Sequence, residues 1–285
     1  MDKVYLITGT SSGFGRALAE AVLERGDAVV MTARRTDAVV DLVQRHPDRA
    51  LAVRVDVTRE DDRRACVEAA LARFGRIDVL VNNAGRGSLG AAEEFSAQQL
   101  REQMDLNFFA CAEMIRAVLP SMRERRSGHI LNISSIGGRV NIGGFALYGA
   151  SKFALEGYSE ALRDEVAPLG IRVTLVEPGA FRTAFAGDAN LRPERIIDDY
   201  RPVVDPIRDF LYGNAGKQSG DPRRAARVMI DVVESADPPL RLLLGADAYG
   251  LWDAKRAAMD AETERWRALG SDTAFPDATT VAIGG

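Results

Sequence analysis

The residues best placed to move a proton lie in the run Tyr148-Gly149-Ala150-Ser151-Lys152, with the serine pair Ser134-Ser135 a short way before it. Over residues 153–166, Ala154, Leu155, Tyr158, Leu162 and Val166 recur at helical spacing. That spacing predicts an amphipathic helix with Tyr148 and Lys152 near its start and, four residues apart, on one face. A phenol with a reference pKa of about 10 is a poor acid or base at neutral pH, but an adjacent ammonium and a helix N-terminus both favour the phenolate. Such a tyrosine would exchange a proton with an alcohol or carbonyl near neutrality. The pair alone fits a solvated helix face equally well, so its meaning depends on what accompanies it.

The elements that must position these groups alternate regularly. Residues 3–8 form a short, apolar, β-branched run, the pattern of a buried parallel strand. Thr8-Gly9-Thr10-Ser11-Ser12-Gly13-Phe14-Gly15 follows, and then a helix marked by Ala17, Leu18, Ala21, Val22 and Leu23 that stops at Gly26. Strand, glycine-rich turn and helix make a phosphate cradle, because absent side chains admit a pyrophosphate and free amides at the helix start favour its charge. The spacing is G-x-x-x-G-x-G, not the G-x-G-x-x-G fingerprint of the broader dinucleotide-binding class.

Further strands are expected at 28–33, 51–57, 79–81, 129–133, 172–176 and 240–244, with helices at 36–44, 60–74, 97–122, 225–233 and 248–269. This alternation calls for right-handed crossovers and a parallel sheet covered on both faces. The pattern lapses over 184–220, where Phe185, Tyr200, Phe210, Leu211 and Tyr212 stand among charges, prolines and glycines without a sustained period. An irregular insertion beyond a strand's carboxyl end reads as a substrate loop or lid. In the last helix Trp252, Met259 and Trp266 recur every seven residues, a stripe expected to face core or a subunit contact, and 271–285 reads as a loosely ordered tail.

Composition narrows the function classes. The chain has 285 residues, a formal net charge of -4, 46% hydrophobic and 27% charged residues, and no linker, repeat or low-complexity segment. One domain is expected. Basic residues are spread among acidic ones, which argues against nucleic acid. No signal-peptide pattern and no apolar run of ~20 residues is present, so no membrane partner and a cytoplasmic location are expected. Cys66 and Cys111 lie far apart in helical patterns and read as reduced, small hydrophobes. His46 and His129 have no ligand spacing, which argues against a metal site or a Ser-His-Asp triad.

Taken together, the ordered series Thr8-Gly9-x-x-x-Gly13-x-Gly15, Asp56-Val57, Asn82-Asn83-Ala84-Gly85, Asn107, Ser134-Ser135, Tyr148-x-x-x-Lys152 and Pro178-Gly179 resembles the short-chain dehydrogenase/reductase family over residues 3–244. The resemblance implies a single doubly wound Rossmann-type domain across 1–285, with a parallel sheet of about seven strands, helices on both faces, a substrate lid near 184–220 and a C-terminal helix and tail from about 247. It implies a nicotinamide cofactor whose pyrophosphate lies along Gly9, Ser11, Ser12, Gly13, Phe14 and Gly15. Asp56 would accept from the adenine amino group with Val57 beside it, Asn83, Ala84 and Gly85 would shape the turn at the nicotinamide-side ribose, and Pro178, Gly179 and Thr183 would border the nicotinamide. Tyr148 would be the general acid in reduction, and Lys152 would lower its pKa and bind ribose hydroxyls. Ser135, favoured over Ser134 by family spacing, would polarise the substrate carbonyl, and Asn107 would anchor a water relaying protons to Lys152.

NAD-preferring members carry an acidic residue at the end of strand two, where it accepts from both ribose hydroxyls and repels a phosphate. Here that place reads Thr32-Ala33-Arg34-Arg35. With no carboxylate there, and with Arg34 able to pair with a 2'-phosphate, NADP(H) is expected over NAD(H). The expected reaction is hydride transfer between nicotinamide and a small-molecule ketone or secondary alcohol. Nucleotide sensing or scaffolding on the same fold, or enoyl reduction or epimerisation at the same site, stand as alternatives. A homodimer or homotetramer, paired through the helices at 97–122 and 153–166, completes the expectation.

Overall fold

The computed structural model describes residues 3–187 and 190–275. Seven parallel strands, β1 (Val4–Thr8), β2 (Ala28–Ala33), β3 (Ala50–Arg54), β4 (Val79–Asn82), β5 (Gly128–Ile133), β6 (Ile171–Pro178) and β7 (Arg241–Leu244), lie in the order β3-β2-β1-β4-β5-β6-β7. Alternate strand residues feed two cores, as burial on both faces requires. Tyr5, Ile7, Val29 and Met31 pack under α1 (Gly13–Arg25), α2 (Val40–Arg45) and α8 (Pro222–Glu234). Leu6, Val30, Leu80 and Ile130 pack under α3 (Glu60–Phe74), α5 (Ala110–Arg125) and α6 (Ala146–Val166). The chain is therefore one doubly wound α/β domain. Its strand order reverses between β1 and β4, and in such sheets the crevice outside the carboxyl ends at that reversal is where ligands bind.

Several boundaries differ from the sequence expectation for identifiable reasons. The helix expected at 97–122 is α4 (Ala97–Met104) and α5, joined by one wide π turn, Asp105–Phe109. The α6 helix starts at Ala146, so Tyr148 and Lys152 lie inside its first two turns rather than ahead of it. The third strand is shorter than 51–57 and leaves Asp56 in the following loop, whereas β6 runs on through Pro178. Within 184–220 stands a 13-residue helix, α7 (Arg201–Gly213). Its apolar residues Val203, Val204, Ile207, Phe210 and Leu211 do follow a helical period, which Pro206 obscures. Residues 188–189 of that segment and 276–285 of the expected tail lie outside the described residues.

The last helix, α9 (Ala246–Ser271), does not bury its stripe in this chain: Met259 and Trp266 are exposed, and only Trp252 is engaged, its ring 3.3 Å beneath the Arg139 guanidinium. Among the described residues no helix is long and apolar enough to cross a membrane, and no group of His, Cys, Asp and Glu could hold a metal ion. Cys66 and Cys111 are buried free thiols.

His129 on β5 is buried, and its Nε2 lies 3.0 Å from Thr174 Oγ1. The Thr174 hydroxyl donates its one proton to the Pro239 carbonyl, so it can only accept from His129, which fixes the Nε2–H tautomer. The buried Nδ1 then has no acceptor for a second proton among the described residues. Burial, reinforced by Arg172 and Lys3, lowers the imidazole from 6.5 to about 4. The native pKa lies below the unfolded one, so stability falls as pH drops from 6.5 towards 4 and levels off beneath that, by about 3 kcal/mol at 1.4 kcal/mol per pH unit. Proton NMR on the two histidines should show the His129 ring neutral at pH 5, and urea unfolding of His129→Gln should lose that part of the acid sensitivity.

Candidate active site

Two loops meet at the strand-order reversal. Thr8 Oγ1, at the end of β1, accepts from the amides of Asn83 and Ala84 and donates to the Val81 carbonyl, while Asn83 Nδ2 donates to the carbonyls of Thr8 and Gly9. The loop after β4 is thus sewn onto the glycine turn after β1. The approach is too close for side chains. A Cβ on Gly9, which has φ 71°, would lie 2.8 Å from Ala84 Cα, and one on Gly15 would lie 2.5 Å from the Gly9 carbonyl oxygen. Ser11 and Ser12 are exposed beside the start of α1, where Ser12 makes no side-chain cap, so the first amides of the helix are left to an anion. Phe14 packs against Phe181, and Thr183, whose Oγ1 accepts from Phe185 N, faces Gly13. Gly179 follows β6, its amide bonded to the Leu244 carbonyl.

Arg34 and Arg35 leave the carboxyl end of β2 exposed, beside Arg54 at the end of β3. Arg16, on the outer side of α1, binds the Ala38 carbonyl and both oxygens of Asp41, which fixes the connection that carries these arginines. That bond holds the Asp41 carboxyl well below its usual range, at about 2. Asp56 is half-buried, and one of its oxygens accepts from both the amide and hydroxyl of Thr58. Burial works against its charge, but these bonds and Arg34 prevail and lower its pKa. Val57 turns its side chain into the core beneath α3.

Tyr148, Lys152 and Ser135 converge at the carboxyl end of β5. Lys152, 6% exposed, sends Nζ 2.8 Å to the Ile133 carbonyl, and its ammonium lies 5.9 Å from the centre of the Tyr148 ring. Ser135 caps the short turn Ile136–Gly138 by accepting from Gly137 N, and its hydroxyl lies beside the Tyr148 phenol and draws its pKa down. Ser134 is buried on the other side of this turn, against Gly138 and Glu156. Asn107 occupies the π turn and is fully buried. Its Oδ1 accepts from Arg86 N, and its Nδ2 donates to Arg86 O and to Ser151 Oγ. With both polar atoms of the side chain engaged, Asn107 clamps the turn after β4 to α6. Gly85 lies between Asn107 and Lys152, with room for a Cβ only 3.2 Å from Asn107 Oδ1.

Sequence reasoning missed the support beneath this site. Asn82 on β4 donates to Asn132 Oδ1 on β5, Asn132 donates to Ser159 Oγ, and Ser159 donates to the Leu155 carbonyl of α6. Buried asparagines paired in register near the ends of two neighbouring strands were the available signal. Phe185, seen only as an aromatic in an irregular stretch, lies 5.3 Å from the Tyr148 ring centre and covers it.

The electrostatics differ from the expectation of a phenolate. Burial raises the Tyr148 phenol to about 12, opposed only by the Ser135 hydrogen bond, and burial also lowers the Lys152 ammonium. The ammonium spends its bond on the Ile133 carbonyl instead of the phenol. Tyr148 is therefore held as a neutral proton donor.

Comparison with known proteins follows the same outline. A model of the short chain dehydrogenases matches residues 3–194. The chain is 36% identical over 270 residues to Oxidoreductase BOA17 of Botryotinia fuckeliana, which covers 94% of this chain and 98% of that protein. It is 39% identical over 245 residues to a 3-ketodihydrosphingosine reductase of Bacteroides thetaiotaomicron, covering 85% and 88% of the two chains. A solved short-chain dehydrogenase from Streptomyces avermitilis matches with a TM-score of 0.91 and 46% identity, over 96% of this chain and 100% of that one.

If Tyr148 is a neutral phenol, phenolate absorbance in the wild type and in Tyr148→Phe should coincide up to the ordinary tyrosine value of 10.0. A tyrosinate difference growing in near pH 7 would contradict the burial argument.

Proposed function

The chain belongs to the short-chain dehydrogenase/reductase family and is a nicotinamide-dependent oxidoreductase, and from that premise we propose that it reduces a ketone, or oxidises the matching secondary alcohol, with NADP(H). The observation that carries this reading is the buried, protonated Tyr148 phenol with the Ser135 hydroxyl beside it. Two hydroxyls converging on one point can both donate to a carbonyl oxygen, which polarises it and then protonates the developing alkoxide. A scaffold has no use for either.

The glycine turn fits a dinucleotide: Gly9, Gly13 and Gly15, with Ser11, Ser12 and Phe14, would receive the pyrophosphate on the free amides of α1. The cofactor, when bound, supplies or accepts the hydride. Lys152, with one N–H on Ile133 and two to spare, would hold the ribose hydroxyls, and Asn83, Ala84 and Gly85 would form the floor beneath that ribose. Pro178, Gly179 and Thr183 would border the nicotinamide, and Asp56 and Val57 the adenine. Asn107 would act on Lys152 by fixing the turn at Arg86, with any relaying water left to its main-chain carbonyl.

Cofactor choice rests on charge. Arg34, Arg35 and Arg54 line the place where an NAD-preferring site needs a carboxylate, and a planar guanidinium matches a 2'-phosphate. Leu100 on α4, Phe109 in the π turn and Phe153 on α6 are exposed, which supports a homodimer or homotetramer paired through these helices.

Fluorescence titration should find NADPH bound more tightly than NADH, and Arg34→Ala should reduce that preference by about tenfold, the size of one charge-assisted phosphate contact. An unchanged ratio would remove Arg34 from cofactor selection. Tyr148→Phe should retain NADPH affinity and lose at least about a hundredfold in turnover of a ketone, since it removes the acid and leaves the cradle.

A further inference from the structure

Asn190 is only 6% exposed, yet neither its amide oxygen nor its amide nitrogen has a hydrogen-bond partner among the described residues. Leaving both atoms unpaired in the interior is costly. Natural proteins keep such a group where it serves something other than stability. Its placement is not incidental. The backbone beside it is strapped to the loop after β4: Leu191 N donates to the Gly87 carbonyl, and Leu89 N donates to Leu191 O at 3.4 Å. A Cβ on Gly87 would lie 2.3 Å from Asn190 Oδ1 and 2.6 Å from Phe185 Cζ, so the amide lies along the edge of the ring that covers Tyr148. On the opposing strand of this bridge, Ser88 Oγ is also buried without a partner.

The rest of the wall is apolar. Phe145 lies 6.3 Å from the Tyr148 ring centre, and Leu89, Val204 and Ile207 gather around Gly144. The outer rim carries Ile142, Val203 and Phe210, all exposed. Glu94, the nearest buried carboxylate, uses one oxygen on Ala91 N and the other on Ile197 N. Among the described residues this wall offers no free carboxylate, whereas the Asn190 amide brings two uncharged hydrogen-bonding atoms to it.

We infer that Asn190 binds a second polar group of the substrate, and that the substrate is a neutral ketone or secondary alcohol with an apolar body and a hydroxyl or carbonyl remote from the reacting carbon. This rests on the reading of Tyr148 as the proton donor to a carbonyl. An amide both donates and accepts, so it suits either polar group, and a buried polar site discriminates strongly against an analogue that leaves it unpaired. The covering Phe185 and the rim would take up the apolar body.

The test compares benzylacetone with its para-hydroxy analogue, which differ only in a distal hydroxyl, on the wild type, Asn190→Leu and Ser88→Ala. The wild type should favour the hydroxylated ketone in kcat/KM by about tenfold, the worth of one buried hydrogen bond. Asn190→Leu should abolish that preference, leave the plain ketone within about twofold and raise the melting temperature, because it removes unpaired polar atoms. A structural asparagine would do the reverse, lowering stability and slowing both ketones alike, and that result would overturn the inference. Ser88→Ala, whose side chain alternates to the other side of the bridge from Gly87 and Leu89, is the control and should leave the preference unchanged. Calorimetric binding of both ketones in the presence of NADP+ separates this inference from the reading it rests on. A hydroxyl preference that vanishes in Asn190→Leu supports the inference even when neither ketone is reduced, and the ketone-reductase reading alone then falls. Equal binding of the two by the wild type overturns the inference while reduction of both leaves that reading standing.

Discussion

The buried ammonium of Lys152 constrains everything around it. An unpaired charge in the interior is costly, and the acceptor that Lys152 finds is the carbonyl of Ile133, the last residue of β5. To reach it, Lys152 must lie in the second turn of α6, and that helix must start against the end of β5. Tyr148 then falls one turn earlier, beside Ser135. Burial raises the phenol and lowers the ammonium at once, so this one placement favours the tyrosine as donor and leaves the lysine held by a main-chain carbonyl. The phenol and the ammonium do not lean on each other; each answers first to its own desolvation.

Polar groups beneath the site follow from the same demand for partners. The strand ends on either side of the sheet reversal carry carbonyls and amides that a loop cannot leave dry. Thr8 and Asn83 satisfy the pair between β1 and β4, and Asn82, Asn132 and Ser159 satisfy the pair between β4, β5 and α6. Rigidity at the crevice is thus a by-product of hydrogen-bond satisfaction. The glycines are where the two loops come too close for anything larger.

Much of this was legible in the residues, because periodicity survives wherever one face of an element is buried. The strand at 28–33 and the helix at 60–74 match the structure at both ends. Where legibility failed, a local term had been outweighed by a distant one. Residues 97–122 keep a helical pattern throughout, and nothing local in Asp105–Phe109 announces the π turn, which Arg86 and Ser151 hold open through Asn107. Pro206 hid α7, because a proline inside a helix forgoes an amide bond, a loss this helix carries. The direction of the Tyr148 shift was misjudged because spacing reports which groups are neighbours but not how deeply they are buried. The Asn190 amide stands in a stretch without a period, and only its unpaired burial makes it conspicuous.

Why Ser135 and not its neighbour faces the tyrosine is answered by the ground behind the site. The backbone at Ser135 is extended, with φ -170° and ψ 159°, so successive side chains point to opposite sides. Ser134 turns inward to Gly138 and Glu156, where a buried ionic group waits: Glu156 and Glu177 share Arg241, and Glu177 also takes Arg139, whose other face lies on Trp252 of α9. Burial and the Glu156 charge push the Glu177 carboxyl upwards against the pull of both arginines. That side is filled by the ionic group itself, and Ser134 is buried against it. Ser135 turns outward to the phenol, Phe145 and Phe185, where nothing charged competes for a neutral substrate. The strand's two-residue alternation thus separates a fixed ionic rear from an apolar reacting front, and Trp252 is the point at which the last helix of the chain bears on the serine turn.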